Sequence, residues 1–484
     1  MKIAIAQYNP TVGDLNGNLS KTIEYIEKAK EKKCDLVVFP ELSLTGYPPR
    51  DLLLRDDFLK ACDRALQEII PYTKGIGVIL GTVIDDGNGF LIHNSALLIH
   101  DERIIGRVDK SLLPNYDVFE EARYFQPSKQ VNCIEFKGMR LGISICEDIW
   151  NDEDVFGQKR YSRNILDELY AHNPDIFINL SASPYHYGKH EIRKEMLTHY
   201  TKKYGIPFIY VNQIGGNDEL VFDGSSMVYD ADGQLILHGK SFEEDMIIYD
   251  TDKSYPNIPD WKEDISWLYR GLVFGVRDYF HKNGFSKALL GLSGGVDSAL
   301  VACIAAEALG RKNVLGVMMP SRYTSQESKD DARQLAKNLG IEYREISIEK
   351  LFDEYISIFN PEGEIHGDLA EENIQARIRG NLLMFISNRE GRVLLCPSNK
   401  SEIAVGYSTL YGDSCGGIAV IGDILKTEVY ELCKYVNRDV EIIPNNIITK
   451  APTAELREGQ KDEDSLLHAV VRRREGSTLT EAEL

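Results

Sequence analysis

The chain has 484 residues, 43% hydrophobic and 27% charged, with a formal net charge of −20; its length predicts two domains of roughly 200 to 250 residues, and its composition predicts packed cores rather than long disorder. The charge weighs against nucleic acid as a partner, and no apolar run approaches the roughly 20 residues that a membrane span needs. Eight cysteines without a CxxC pair, behind an N-terminus MKIAIAQYNP that lacks a signal pattern, predict a reducing cytoplasm.

From the N-terminus, KIAIAQ reads as a strand and 18–33 as a helix; the apolar runs DLVVFP, GVILGTVI, SALLIH, RLGISIC, DIFINLSA, PFIYVNQ and SSMVYD then read as further strands. So many strands with interleaved helices predict a layered α/β sandwich over residues 1–250. The stretch YDTDKSYPNIPDWKED, with two prolines and few core residues, predicts a linker over 251–264. Beyond it, KALLGLS is a strand, SALVACIAAEALG a helix ending at Gly310, and NVLGVMMP a second strand. A helix over 325–339, a strand over 341–347, a helix over 370–388 and the strand RVLLCP continue the alternation. That is the pattern of a doubly wound parallel sheet, expected to fill 265–465.

Three candidate chemical residues follow strand-like runs: Glu41 after DLVVFP, Lys110 after RIIGRVD and Cys146 closing RLGISIC. Taken singly, a buried cysteine is usually a small hydrophobe and a lysine usually a solvated charge. Taken together, they supply the nucleophile, the base and the oxyanion-stabilising cation that amide hydrolysis needs. The segments FPELSLTGY, DKSLLPNYDVFEE and SICEDIW, in this order, resemble the carbon-nitrogen hydrolase (nitrilase) superfamily. That resemblance implies a four-layer αββα sandwich, Cys146 as nucleophile, Glu41 as general base, Lys110 as oxyanion stabiliser and Glu120 as a supporting carboxylate. It also implies glutamine contacts from Tyr116, Ser183 and Lys189. On chemistry alone, Tyr116 is equally well a packing residue and Lys189 a surface charge.

The second chemical segment is GLSGGVDS: Gly291, Leu292, Ser293, Gly294, Gly295, Val296, Asp297 and Ser298. Its place between a strand and a helix suits phosphate binding, because consecutive glycines and a helix N-terminus aim N–H groups at one point. Asp297, acidic in such a place, is expected to hold Mg²⁺ rather than the anion. The loop resembles that of ATP pyrophosphatases, which split ATP between the α and β phosphates. The segments ENIQARIRGN, SNKSEIAVGYSTLYGD, GDILKTEVYEL and KAPTAEL resemble those of NAD synthetases.

Together the two resemblances imply an enzyme that takes ammonia from L-glutamine to amidate deamido-NAD with ATP, working as a homo-oligomer. They imply ATP contacts along the loop and from Lys426, deamido-NAD contacts from Asn373, Arg377, Glu402 and Asp413, and Mg²⁺ held by Asp297 and Glu402. Arg377 and Arg379 lie on one helix and are candidate phosphate donors. Pro397 stands where the family carries a threonine against ATP, so that contact is expected to be lost or to pass to Ser398. Residues 466–484 read as an atypical, shortened tail. The alternatives are a chain that keeps glutaminase activity or nucleotide binding without efficient ligation, and a ligase of the same loop family acting on another carboxylate or a tRNA base. The acidic charge and the ENIQAR and SNKSE segments weigh against the tRNA version.

Overall fold

The computed structural model describes residues 1–460 other than 88, 90, 260, 361 and 363. The chain divides into a unit from Met1 to Glu263 and a second from Asp264 onward. The tail expected over 466–484 lies outside the described residues.

The first unit holds two six-stranded sheets. In one, Lys2–Gln7 pairs parallel with Leu36–Val38 and antiparallel with Asp245–Asp250; Gly77–Asp85, Ile92–His100 and Arg103–Asp109 extend it. In the other, Met139–Ile145, Ile176–Ser181 and Phe208–Asn212 run parallel at its centre. Because side chains alternate along a strand, each strand serves two cores. Ile3, Ile5, Leu36, Val38 and Ile79 meet Leu141, Ile143, Ile145, Ile176 and Ile178 between the sheets. Their neighbours Ala4, Ala6, Val37, Val78 and Leu80 face the helices Leu15–Glu31 and Asp56–Ile69. Across the molecule, Phe177, Phe208 and Tyr210 pack on Leu169, Met196 and Tyr200 of the helices Ile165–Tyr170 and Lys189–Tyr204. Helix, sheet, sheet, helix is the αββα sandwich. Each fully buried Leu or Ile in it contributes about 1.5–3 kcal/mol.

The second unit is a five-stranded sheet in the spatial order Glu342–Glu345, Val314–Met318, Ala288–Gly291, Val393–Cys396, Ile418–Ala419, with every pair parallel. Helices Ile265–Lys282, Val296–Leu309, Gln326–Leu339 and Lys426–Val436 share one core, and Glu349–Phe359 and Leu369–Glu390 share the other, so the sheet is doubly wound. Strand order reverses between Ala288–Gly291 and Val393–Cys396. The carboxyl ends of two such strands bound the crevice in which ligands of these sheets sit. Among the described residues, no helix is long and apolar enough to cross a membrane.

The segment expected as a linker carries no regular structure among its described residues, yet Trp261 packs with the first unit's core.

Candidate active sites

Three strand ends deliver the first site. Glu41 lies beyond Leu36–Val38, in a turn pressed against the next strand: a Cβ on Gly81 would stand 2.2 Å from the Pro40 carbonyl oxygen, so only glycine admits the turn. Lys110 follows Arg103–Asp109 and donates its N–H to Asn94 O at 2.9 Å. Cys146 follows Met139–Ile145 and opens the 3₁₀ turn Cys146–Ile149 at φ +42°, a left-handed conformation that L side chains disfavour. The Asp148 carboxylate accepts N–H groups from Ile145 (3.0 Å), Ser111 (3.0 Å) and Leu112 (2.8 Å). One buried side chain thereby ties the nucleophile's turn to the strand end that carries Lys110, although burial pushes its own pKa up to about 6.

The charges satisfy one another. Lys110 Nζ lies 2.7 Å from Glu41 Oε1 and 2.6 Å from Glu121 Oε1, with no exposure. Asn94 Nδ2 (2.7 Å) and the Ala182 N–H (3.0 Å) also donate to Glu41, and the Tyr47 hydroxyl donates to Glu121 at 2.8 Å. Burial alone would lower the Lys110 pKa, but the two carboxylates outweigh it and hold the ammonium well above its ordinary value. Burial raises Glu121 to about 7 against the pull of Lys110. Burial, then the charge of Glu41, raises Cys146 well above an ordinary thiol. The Cys146 side chain therefore rests as a thiol.

The carboxylate against Lys110 is Glu121, not the expected Glu120. Glu120 is 58% exposed and lies 3.9 Å from Arg123. It precedes the 3₁₀ turn Glu121–Arg123, where successive residues point about 120° apart, so only one of two adjacent glutamates can face inward.

The expected glutamine-contact residues are each held by neighbours of their own. Tyr116 and Tyr161 donate their hydroxyls to Glu147 Oε1 at 2.9 and 3.0 Å, and the Arg160 guanidinium sits 3.5 Å from the Tyr116 ring centre. Lys189 Nζ lies 4.0 Å from the Trp150 ring centre, its pKa lowered to about 8 by burial and then by Arg193. Ser183 donates its N–H to Asn212 Oδ1 at 3.0 Å and accepts from Arg193 Nη2 at its carbonyl (2.8 Å) and hydroxyl (3.2 Å). Arg193 is fully buried against Asp223 at 2.7 Å. Sequence reasoning missed Asn94, Glu121, Glu147, Asp148 and Arg193. Glu147 and Asp148 stand in SICEDIW and could have been found there.

In the second unit the loop after Ala288–Gly291 turns at Gly294, whose φ is +79° and whose added Cβ would meet Ser328 O at 2.5 Å. The Gly295 N–H donates to Ser293 Oγ at 3.2 Å, and Ser298 Oγ donates to Gly295 O at 3.1 Å, fixing the entry to helix Val296–Leu309. Asp297 accepts from Asn399 Nδ2 at 2.9 Å and pairs with Lys426. Asn399 and Glu402 cap their helix reciprocally. Burial and the neighbouring Asp297 push Glu402 up to about 7. Lys426 is opposed by burial but held protonated by Asp297 and Glu402.

All eight loop residues, Pro397, Ser398, Glu402, Asp413 and Lys426 line one cavity of about 310 Å³, at the sheet's reversal point. Arg379 lines it too, with its Nε–H donated to Met319 O at 3.0 Å; burial lowers its pKa to about 10, which leaves it charged. Asn373 and Arg377 are not among the lining residues. Asn373 Oδ1 accepts from Thr409 Oγ1 at 2.8 Å and Arg377 donates to Leu410 O at 3.2 Å. Both hold the loop that carries Asp413, whose carboxylate accepts the Thr409 N–H at 2.8 Å.

Comparison with known proteins agrees with this division. Residues 2–256 match the carbon-nitrogen hydrolase family and residues 268–469 the NAD synthase family. The glutamine-dependent NAD(+) synthetase of Synechocystis sp. is 46% identical over 479 residues, covering 96% of this chain and 86% of that one. That of Thermotoga maritima is 43% identical with the same coverage. A solved glutamine-dependent NAD+ synthetase from Acinetobacter baumannii, in complex with ADP, superposes with a TM-score of 0.84 at 37% identity, over 99% of this chain and 95% of that one.

Proposed function

The chain belongs to the glutamine-dependent NAD(+) synthetases, and from that premise we propose how its residues carry a glutamine-hydrolysing, ATP-driven amidation of deamido-NAD to NAD. The carrying observation is that one chain holds both a buried nucleophile set, Cys146 with Glu41 and Lys110, and a glycine loop opening on the cavity at the sheet's reversal point. Matches running over 96% of the chain favour this reading over a chain reduced to glutaminase activity or nucleotide binding.

In the first unit Cys146 Sγ attacks the glutamine side-chain amide and its proton passes to Glu41, which returns a proton to the leaving nitrogen, so that ammonia departs and a thioester remains. Lys110, clamped by two carboxylates, stabilises the oxyanion without reorganising. Water, activated by Glu41, then releases glutamate. Lys189, Ser183 and Tyr116 hold the amino-acid end of the substrate, with Glu147 as the acidic partner of Tyr116.

In the second unit the nicotinate carboxylate of deamido-NAD attacks the α-phosphorus of ATP and pyrophosphate leaves; ammonia then attacks the acyl carbon and AMP leaves. Loop N–H groups and the start of helix Val296–Leu309 face the pyrophosphate. Arg379, rather than Arg377, is the guanidinium that meets phosphoryl oxygens, since it lines the cavity. Ser398, beside Pro397, takes the place of the family's threonine. Asp297 and Glu402 fit a divalent cation, because burial and then the neighbouring Asp297 raise Glu402, and a cation between the two carboxylates would relieve it. Mg²⁺ bound by these two carboxylates would screen charge developing on pyrophosphate. Free cysteines throughout support a cytoplasmic location, and exposed Ile358, Phe359, Leu369 and Phe385 support a homo-oligomer.

The test is NAD formation from deamido-NAD and MgATP with either glutamine or ammonium, beside Cys146→Ala. Wild type should use both donors and the variant only ammonium. If wild type makes NAD from neither donor, the reading fails.

A further inference from the structure

Helix Lys189–Tyr204 begins at Gly188, in the left-handed region at φ +85°, with no capping side chain of its own. Its first turn carries Lys189 over Trp150, and one turn on it carries Arg193 to Ser183, so the setting of its N-terminus decides where the glutamine-contact groups stand. The missing cap comes from 75 residues away. Glu263 Oε2 accepts the Gly188 N–H at 2.6 Å and Glu263 Oε1 the His190 N–H at 3.2 Å. The bond is reciprocal, because the Glu191 side chain accepts the N–H of Glu263 at 3.1 Å. This is a capping box in which the two halves belong to remote segments. Two residues earlier, Lys194 Nζ donates to Trp261 O, and the Trp261 ring lies 5.2 Å from His190 and 4.8 Å from His238. A carboxylate at a helix N-terminus is favoured by the helix dipole as well as by its two bonds.

Resting on the glutamine-hydrolysing reading above, we propose that Glu263 is a positioning residue for glutamine: from the last residue of the first unit it sets the helix that presents Lys189 and braces Ser183. It touches no substrate. Half-buried Glu263 directly precedes Asp264, which caps the second unit's first helix, so a segment composed like a linker carries two helix caps in succession.

The test is steady-state kinetics of the full chain as Glu263→Ala and Glu263→Gln, with glutamine and separately with ammonium. Removal of a helix cap that orients binding groups predicts kcat/KM for glutamine falling about tenfold in Glu263→Ala, chiefly through KM. Ammonium-supported NAD formation should stay within about twofold of wild type, and Glu263→Gln, which keeps an acceptor for one N–H, should recover most of the loss. An unchanged KM for glutamine in Glu263→Ala overturns the proposal. So does a loss of both donors' rates in parallel with a lowered melting temperature in both variants, which would make the cap an element of stability alone. Failure of the functional reading is separable, since it shows as absence of NAD from either donor in the wild type.

Discussion

Around Cys146 the charged groups consume one another: Lys110, Glu41 and Glu121 are essentially without exposure, and the cation is bound by two carboxylates before any substrate arrives. Around Asp297 they do not. Lys426 and Asp297 keep 27% and 17% exposure, Glu402 is pushed towards neutrality, and among the described residues Arg379 lines the cavity with only its Nε–H given to a protein oxygen. The first arrangement suits a reaction whose charge appears in one small place, at an oxyanion beside a fixed ammonium. The second suits ligands that bring several charges with them, so that the site's polar groups are completed by what binds.

The contrast is broken most forcefully at Lys110. Lys110→Met leaves Glu41 and Glu121 buried without their cation, and removing one member of a buried pair costs about 3–5 kcal/mol of stability. Glutamine hydrolysis should fall by at least about 10⁴, the scale of losing a central catalytic group, with a clear drop in melting temperature. Lys426→Met should depress ligation while leaving the melting temperature within a degree or two, because its pair is partly solvated. Equal thermal effects of the two substitutions would refute the contrast between a self-satisfied site and one completed by ligand.

Chelation sharpens the same difference. Removing divalent cations should lower NAD formation from either nitrogen donor at least about a hundredfold, while glutamate release from glutamine, whose proposed groups include no cation site, stays within about twofold. A glutaminase that stops on chelation would contradict the roles given to Asp297 and Glu402.

Next in size is the arginine pair. Arg379→Met removes a half-buried charged donor from the cavity and should cost the ligase about 1.5–3 kcal/mol, or roughly ten- to a hundredfold in kcat/KM for ATP or deamido-NAD. Arg377→Met loosens only the loop at Leu410 and should cost less than about fivefold. The reverse ranking, measured with ammonium so that the first site is bypassed, would restore Arg377 as the ligand contact.

These residues also mark what the sequence could yield. Strand and helix periods exposed both layered architectures, because burial on alternate positions is written directly into apolar spacing. The loop at 291–298 was legible because its glycines are required twice over, by φ at Gly294 and by the approach of Ser328. Glu120 and Glu121 were not separable, since a single 3₁₀ turn decides which faces Lys110. Arg377 and Arg379 share a helix, and only the loop at 407–413 and the strand end at Met319 determine which reaches the cavity. Arg193 with Asp223, and Glu263 with Gly188, join segments 30 and 75 residues apart. Local pattern carries no record of such pairings.

The smallest expected effect concerns Lys189, which lies over Trp150 and is proposed to meet the substrate. Burial first, and Arg193 next, lower it to about 8 from an ordinary value of 10.5. For stability the sign is fixed: below about pH 8 the folded chain bears the full cost of a buried ammonium, and between about 8 and 10.5 the unfolded chain binds the extra proton, so stability rises with pH across that window. For function the sign is opposite. On the proposed role the ammonium is the form that would attract the α-carboxylate of glutamine, so KM for glutamine should climb about three- to tenfold between pH 8 and 9. Ammonium-supported synthesis, expressed per free ammonia, should show no matching inflection. Lys189→Met should have a high KM whose pH dependence reflects only the substrate's own amino group, and the difference between the two profiles isolates Lys189. A wild-type KM that follows the Lys189→Met profile in shape would place the side chain outside glutamine recognition and return it to packing on Trp150.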